Sequence, residues 1–227
     1  IYKRSNFIET TQLQSSYNYE LFNGFYFNPA LRFSERRNLD KYEFVELLDE
    51  SLPNDEPTEF EPYQAFIADI TLSYVPGQKY MREPNRKVLL GSRWPTFYLY
   101  YEKGMKGVFG SDVSHDYGLL GMMQTFKIGT IGTSNYHIKT GQFFSSAALK
   151  DADFKYHRRS DPFWFSNPLH SFQGLNVALP SKKFYLEGHF IHHDNGSIIN
   201  KIPFMKKTAI GLVVGCGALY VKEFNWQ

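Results

Sequence analysis

Between Phe66 and Tyr74 the chain alternates apolar and polar residues with few interruptions, and this alternation constrains the fold more than any other feature. Successive side chains of an extended strand point to opposite faces. Phe66, Ala68, Ile70, Leu72 and Tyr74 therefore share one face, and Ile67, Asp69, Thr71 and Ser73 the other. One face is apolar and the other mostly polar. In a soluble sheet the apolar face meets a core, whereas in an outer-membrane barrel it meets lipid and the polar face lines the lumen. A second strand with Phe97 and Leu99 on its apolar face follows before Glu102, beyond a connector punctuated by proline and arginine.

Composition bears on this choice. Aromatic residues make up 18% of the 227 residues, yet mean hydropathy is −0.41. A barrel reconciles the two values, because only alternate strand residues touch lipid while Tyr, Trp and Phe collect at the two interfaces. A soluble, aromatic-rich β-sandwich that binds glycans is the alternative on composition. No window approaches the ~18 apolar residues of a spanning helix, which excludes a helical membrane protein. The single cysteine, Cys216, excludes an internal disulfide, and a net charge of +2 gives no whole-chain attraction to nucleic acid. Without a signal peptide at Ile1, an exported barrel is expected to begin further upstream.

Period-two patterning and turn residues predict strands over 7–22, 25–34, 41–48, 63–75, 95–102, 113–129, 134–144, 184–193 and 208–221. Asn23-Gly24 reads as a two-residue hairpin turn, and Thr133-Ser134-Asn135 as a second reversal. In the last strand Ile210, Leu212, Val214, Cys216, Ala218 and Tyr220 form an apolar row, with Gly211, Val213, Gly215 and Gly217 opposite. Interior strand glycines indicate that another group comes close to that face. Leu186 joins the lipid-facing set, and Glu187 and His189 the lumen-facing set. The segment 49–61 holds six carboxylates and no cation, whereas 79–93 holds Lys79, Arg82, Arg86, Lys87 and Arg93 against Glu83. Alternating strand directions put these two connectors at opposite ends, with the basic stretch 200–207 at the end of the second. The aromatic-rich stretch 145–182 is too long for a hairpin turn and reads as a functional loop, with 169–179 as an optional further strand.

Few motifs carry chemistry. Glu187, His189 and His193 are metal-ligand candidates on one strand face, but same-face neighbours lie ~7 Å apart, so a polar row without metal is expected. Ser114 and His115 are the nearest approach to a hydrolase pair. There is no G-x-S-x-G elbow, P-loop or dinucleotide fingerprint.

Three stretches, YVPGQKYMREPNRKVLLGSRWPTFYLYYEKGMKGVFGSDV, IGTIGTSNYHIKTGQFF and FYLEGHFIHHDNGSIINKIPFMKK, carry a family likeness. From about Tyr63 to Lys222 the chain resembles the barrel of the large Bacteroidetes outer-membrane proteins that bear an N-terminal carboxypeptidase-like regulatory domain. The positions carrying it include Pro84, Asn85, Arg86, Gly91, Pro95, His189, Phe190, Asn195, Gly196, Asn200, Ile202 and Pro203. The resemblance implies a relation to the BamA and TamA assembly barrels, with 145–182 in the place of the loop that folds into the lumen. The Arg-Gly-Phe tip of that loop is absent, and Ser171-Phe172-Gln173-Gly174 stands nearest to it.

The expectation is an all-β, transmembrane antiparallel β-barrel: a single-domain fragment, 1–227, of a barrel of about 16 strands, lacking its N-terminal and closing strands. It is expected in the bacterial outer membrane, without catalytic activity or cofactor, in envelope biogenesis. Its partners would be outer-membrane lipid and other outer-membrane or periplasmic assembly proteins, not nucleic acid. A passive channel or receptor is the alternative within the membrane class.

Overall fold

The computed structural model describes residues 8–38, 61–160, 166–175, 178–197, 199–201 and 211–222. Its strands are β1 (Ile8–Ser16), β2 (Tyr19–Phe22), β3 (Phe25–Asn38), β4 (Tyr63–Tyr74), β5 (Lys79–Glu83), β6 (Arg86–Gly91) and β7 (Thr96–Gly104). They continue as β8 (Ser114–Ile128), β9 (Gly132–Ala148), β10 (Lys155–His157), β11 (Leu179–Ser181), β12 (Tyr185–Asp194) and β13 (Val213–Val221). Nine of them form one sheet in the order β1-β3-β4-β7-β8-β9-β12-β13, with β2 also beside β3, and every ladder in it is antiparallel. Two small ribbons, β5–β6 and β10–β11, stand apart. The protein is all-β; β1 and β13 are the outer members of the sheet, which is open among the described residues.

The pairing register carries the sequence alternation across the sheet. One row runs Phe27, Leu72, Leu99, Leu120, Thr140, Leu186 and Tyr220, each opposite the next. Phe66, Ala68, Ile70, Leu72 and Tyr74 lie on this face, with Phe97, Leu99 and Leu186, and Val214 continues it on β13. It is exposed: Ile70 at 38%, Leu99 at 44%, Leu120 at 55% and Leu186 at 45%. Aromatic clusters stand toward both strand ends of this open face. Phe22, Phe25 and Tyr74 form one group at one end, the end at which the Phe126–Tyr136 pair also lies, and Phe66–Phe109 and Phe184–Tyr220 mark the other.

The opposite face carries Asp69, Thr71, Ser73, Glu187, His189, Gly215 and Gly217, and its buried apolar residues form two clusters. Tyr63, Ala65, Ile67 and Val113 make one, and Tyr117, Phe143, Tyr185 and Val221 the other. Ala152 and Leu149, from the excursion between β9 and β12, pack on them. We call this the covered face.

Several expectations change. The strand expected over 7–22 is broken at Tyr17–Asn18 into β1 and β2, both arms of the hairpin with β3. The reversal expected at Thr133–Asn135 lies instead at Gly129–Ile131, where Gly129 has φ 50 and Ile131 N–H donates to Ile128 O at 2.9 Å. Thr133, Ser134 and Asn135 are inside β9 because their backbones pair with both β8 and β12. The connector 75–95 contains the β5–β6 hairpin, turned at Pro84-Asn85. No strand over 169–179 enters the main sheet among the described residues; β9 pairs directly with β12, and β11 pairs only with β10. The strand expected over 41–48 and Ile210 lie outside the described residues. Gly211 and Leu212 precede β13, with Leu212 O accepting from Asp194 N–H at 2.8 Å.

At Asn23-Gly24 only glycine uses its freedom. Gly24 has φ +84, and a Cβ there would stand 2.4 Å from the Val75 carbonyl oxygen. That approach lets Gly24 O accept from Val75 N–H at 2.7 Å, tying the turn to the end of β4. Gly24→Val is expected to destabilise the protein by about 2 kcal/mol, read as a lower urea midpoint; an unchanged midpoint would contradict this turn geometry.

Candidate functional site

The covered face holds two buried carboxylates, Glu102 on β7 and Glu187 on β12, at 3% and 2% exposure. Burying a carboxylate is expensive unless cations and hydrogen bonds surround it. Both are surrounded. Glu102 accepts from His115 Nε2 at 2.9 Å, Lys155 Nζ at 2.9 Å and the Tyr100 hydroxyl, with Arg32 Nη2 at 3.4 Å. Arg32 also donates to Asp69 Oδ2 at 3.0 Å. Glu187 accepts from His157 Nδ1 and His189 Nε2, each at 2.8 Å, and from Lys139 Nζ at 3.1 Å. Because an ionised carboxylate offers only acceptors, these contacts fix which imidazole nitrogen carries the hydrogen.

The sheet supplies part of each set and the excursion the rest. Lys139 lies directly opposite Glu187 in the β9–β12 ladder, and His189 is two residues along the same strand, on the same face. Lys155 and His157 come from β10, whose alternation turns both toward the sheet and leaves Tyr156 between them half exposed. Tyr117, opposite Glu102 in the β7–β8 ladder, and Tyr185, two residues before Glu187, have their hydroxyls 2.6 Å apart, with Lys155 Nζ 4.6 Å from the Tyr117 ring centroid. A cavity of about 260 Å³ remains between β10 and the sheet, lined by Tyr100, Tyr117, Lys139, Phe154, Tyr156 and Tyr185 among others.

Three further contacts hold the excursion. Asp153 pairs with Arg36, and Tyr63 donates to the same carboxylate at 3.1 Å. His137, bonded to Tyr98, lies edge-on to His170, ring centroids 5.2 Å apart. Phe172 packs on His189 at 4.4 Å and covers Gly217, where a Cβ would meet the ring at 3.1 Å. Glycine at 217 leaves room for that ring.

The other candidates fall elsewhere. His193 sits at the exposed end of β12, apart from Glu187 and His189, and among the described residues no group of three or more His, Cys, Asp or Glu could hold a metal. Ser114 and His115 point to opposite faces as consecutive strand residues, and His115 is committed to Glu102, so they make no hydrolase pair. His189 and Phe190 lie within β12, and the other described positions carrying the family likeness gather at the opposite end of the sheet from the excursion. Pro84 and Asn85 turn the β5–β6 hairpin, Arg86 pairs with Glu83, Gly91 ends β6 at φ +89, and Pro95 leads into β7. Asn195 N–H donates to Ile131 O at 2.8 Å, Gly196 N–H to Asp194 Oδ2 at 3.0 Å, and Asn200 lies in the turn Ile199–Lys201. Ile202 and Pro203 are outside the described residues.

Sequence reasoning placed Glu187 and His189 on one face and named His115 beside Ser114 in place of Glu102, but missed Glu102, Lys155, His157 and the Arg36–Asp153 pair. Their one local signal was the alternation Lys155-Tyr156-His157.

The family described as "Family of unknown function (DUF5686) C-terminal domain" matches residues 2–226, and the chain belongs to it. No curated protein and no solved structure matches the chain.

Glu187→Ala strands three hydrogen-bond donors in a buried site and is expected to cost about 3–5 kcal/mol, with faster limited proteolysis within 158–182. Gly217→Leu is expected to displace Phe172 and raise the same proteolysis, whereas Gly188→Ala, with only Ile138 Cγ1 at 4.0 Å, should not. Unchanged cleavage in both Glu187→Ala and Gly217→Leu would mean that neither contact fastens the excursion.

Proposed function

We propose that this DUF5686 C-terminal domain is the membrane-embedded part of a bacterial outer-membrane β-barrel, without catalytic activity. Its role in this reading is envelope biogenesis: assembly or translocation of outer-membrane or surface components, in contact with lipid and with other assembly proteins. The observation that carries the reading is the open face. A row that crosses seven strands, apolar except for Thr140 and nowhere buried, is too large to leave in water, and its aliphatic middle with aromatic ends suits a bilayer.

In lipid the free edges of β1 and β13 must also be satisfied, so further strands of the same barrel belong beside them. A glycan-binding sandwich would need a second sheet over Ile70, Leu99 and Leu186, all of which are exposed. A passive channel would need an unobstructed polar face, whereas the excursion is fastened to it through two buried carboxylates. The assembly role itself rests on the resemblance to the Bacteroidetes barrels and their BamA and TamA relatives.

Arginine scanning in bilayers tests the reading. Ile70→Arg and Leu99→Arg are expected to cost about 2–4 kcal/mol at the membrane midplane, and Thr71→Arg or Ser73→Arg less. Equal losses on the two faces, or a chain that remains monomeric and folded without detergent, would overturn it.

A further inference from the structure

The β5–β6 hairpin pairs with no other strand, yet it is ordered and exposes Tyr80, Met81, Leu89, Leu90 and the adjoining Trp94. A two-stranded ribbon alone in water is marginal. Its root explains the order. Gln78 is buried and hydrogen-bonds Tyr26 OH at 2.7 Å, Asn23 Nδ2 donates to Gln78 O at 2.8 Å, and Lys87 reaches Glu20 of β2 and Asn23 of the turn that follows it. Ser92 donates to Pro76 O, and Trp94 lies against Gly77. The ribbon is therefore held rigidly at the strand end where Phe22, Phe25 and Tyr74 cluster on the open face.

Its net charge is positive. Lys79, Arg82 and Arg93 are exposed and form no ion pair among the described residues, while Arg86 pairs with Glu83 and Lys87 with Glu20. Apolar and aromatic side chains mixed with unpaired cations, just beyond an aromatic border, match the interfacial layer of a bilayer, where aromatic rings settle and phosphates attract cations. We infer that the β5–β6 hairpin with Trp94 is a docking surface for anionic lipid headgroups, flanking the strands in the same leaflet. This rests on the membrane reading above and adds to it a preferred lipid class and a leaflet-facing end.

The full chain is reconstituted in vesicles of phosphatidylcholine, with or without phosphatidylglycerol. Trp164→Phe and Trp226→Phe leave Trp94 as the only indole, and an environment-sensitive dye on Cys216, the single cysteine, reports whether the open face is in lipid. Trp94 emission is expected to shift to the blue, and to be quenched by brominated lipid, only with phosphatidylglycerol, and to revert at high salt. Lys79→Gln, Arg82→Gln and Arg93→Gln are expected to weaken docking roughly fivefold each, with the Cys216 signal unchanged. Hydrogen exchange at 79–94 in the otherwise unaltered chain gives the same comparison if the tryptophan variants fail to fold.

Trp94 equally wet in both vesicles, or a lipid preference that survives the triple substitution, overturns the inference while the Cys216 dye in lipid leaves the membrane reading standing. A dye that stays in water overturns both. Protection of 79–94 by polyglutamate but not by phosphatidylglycerol vesicles assigns the hairpin to an acidic protein and overturns the lipid partner.

Discussion

The structure depends on keeping one alternation in phase across seven ladders. Side-chain period in a strand is two, so a slip of β7 or β12 by a single residue would move its aliphatic residues onto the polar face and Glu102 or Glu187 onto the apolar one. The register is pinned from the ends inward. Gly24 fixes β2–β3 against β4, and Gly129–Ile131 fixes β8–β9. Between Ser114–Ala148 and Tyr117–Phe143 the β8–β9 ladder advances three residues on β8 against five on β9. The excess comes as two one-residue shifts, on either side of the Asp116–Ser145 pair, and next to them Tyr117 and Phe143 meet on the covered side, ring centroids 4.8 Å apart.

The covered face shows why polar burial serves here. Its sheet offers tyrosines, histidines and carboxylates in place of a continuous aliphatic floor, so an apolar excursion would have left Glu102 and Glu187 buried and short of partners. Lys155 and His157 instead bring donors to both at once, using the spacing of alternate residues in a three-residue strand. Single nitrogens of His115, His157 and His189 have no partner among the described residues. Each ring is oriented by its one bonded nitrogen, while the other, buried without a partner, costs stability, so the fastening favours a specific position for the excursion over maximal strength.

What could be read from the chain was what each residue settles locally. The face of Ile70 or Thr71 follows from its neighbours alone, and the sheet kept those assignments. Gly24 was legible because it supplies a conformation that other residues enter with strain. The Asn135 turn was misread because Ser and Asn resemble turn residues, whereas the positive φ values lie at Gly129 and Gly132. The β5–β6 hairpin stayed hidden because apolar and charged residues occur on both faces of its ribbon, which erases the period-two signal. The partners of Glu102 were beyond reach for a different reason: Lys155 is 53 residues away, and Asp153 is 117 from Arg36, distances bridged only once the sheet order is known.

The two ends of the sheet carry different tasks, and the topology requires it. In an antiparallel meander, the connectors after β4, β8 and β12 all emerge at one end, and those after β3, β7 and β9 at the other. The first end holds the rigid basic ribbon and the family-like turns around Asn195 and Gly196. The second sends out the excursion that folds back over the polar face. Charge recognition at one end is thus structurally independent of occlusion from the other. The strands between them transmit position only through their register, so a change that loosens the excursion leaves the hairpin root at Gln78 and Tyr26 untouched. That separation makes the hairpin and the covered face two sites whose properties add.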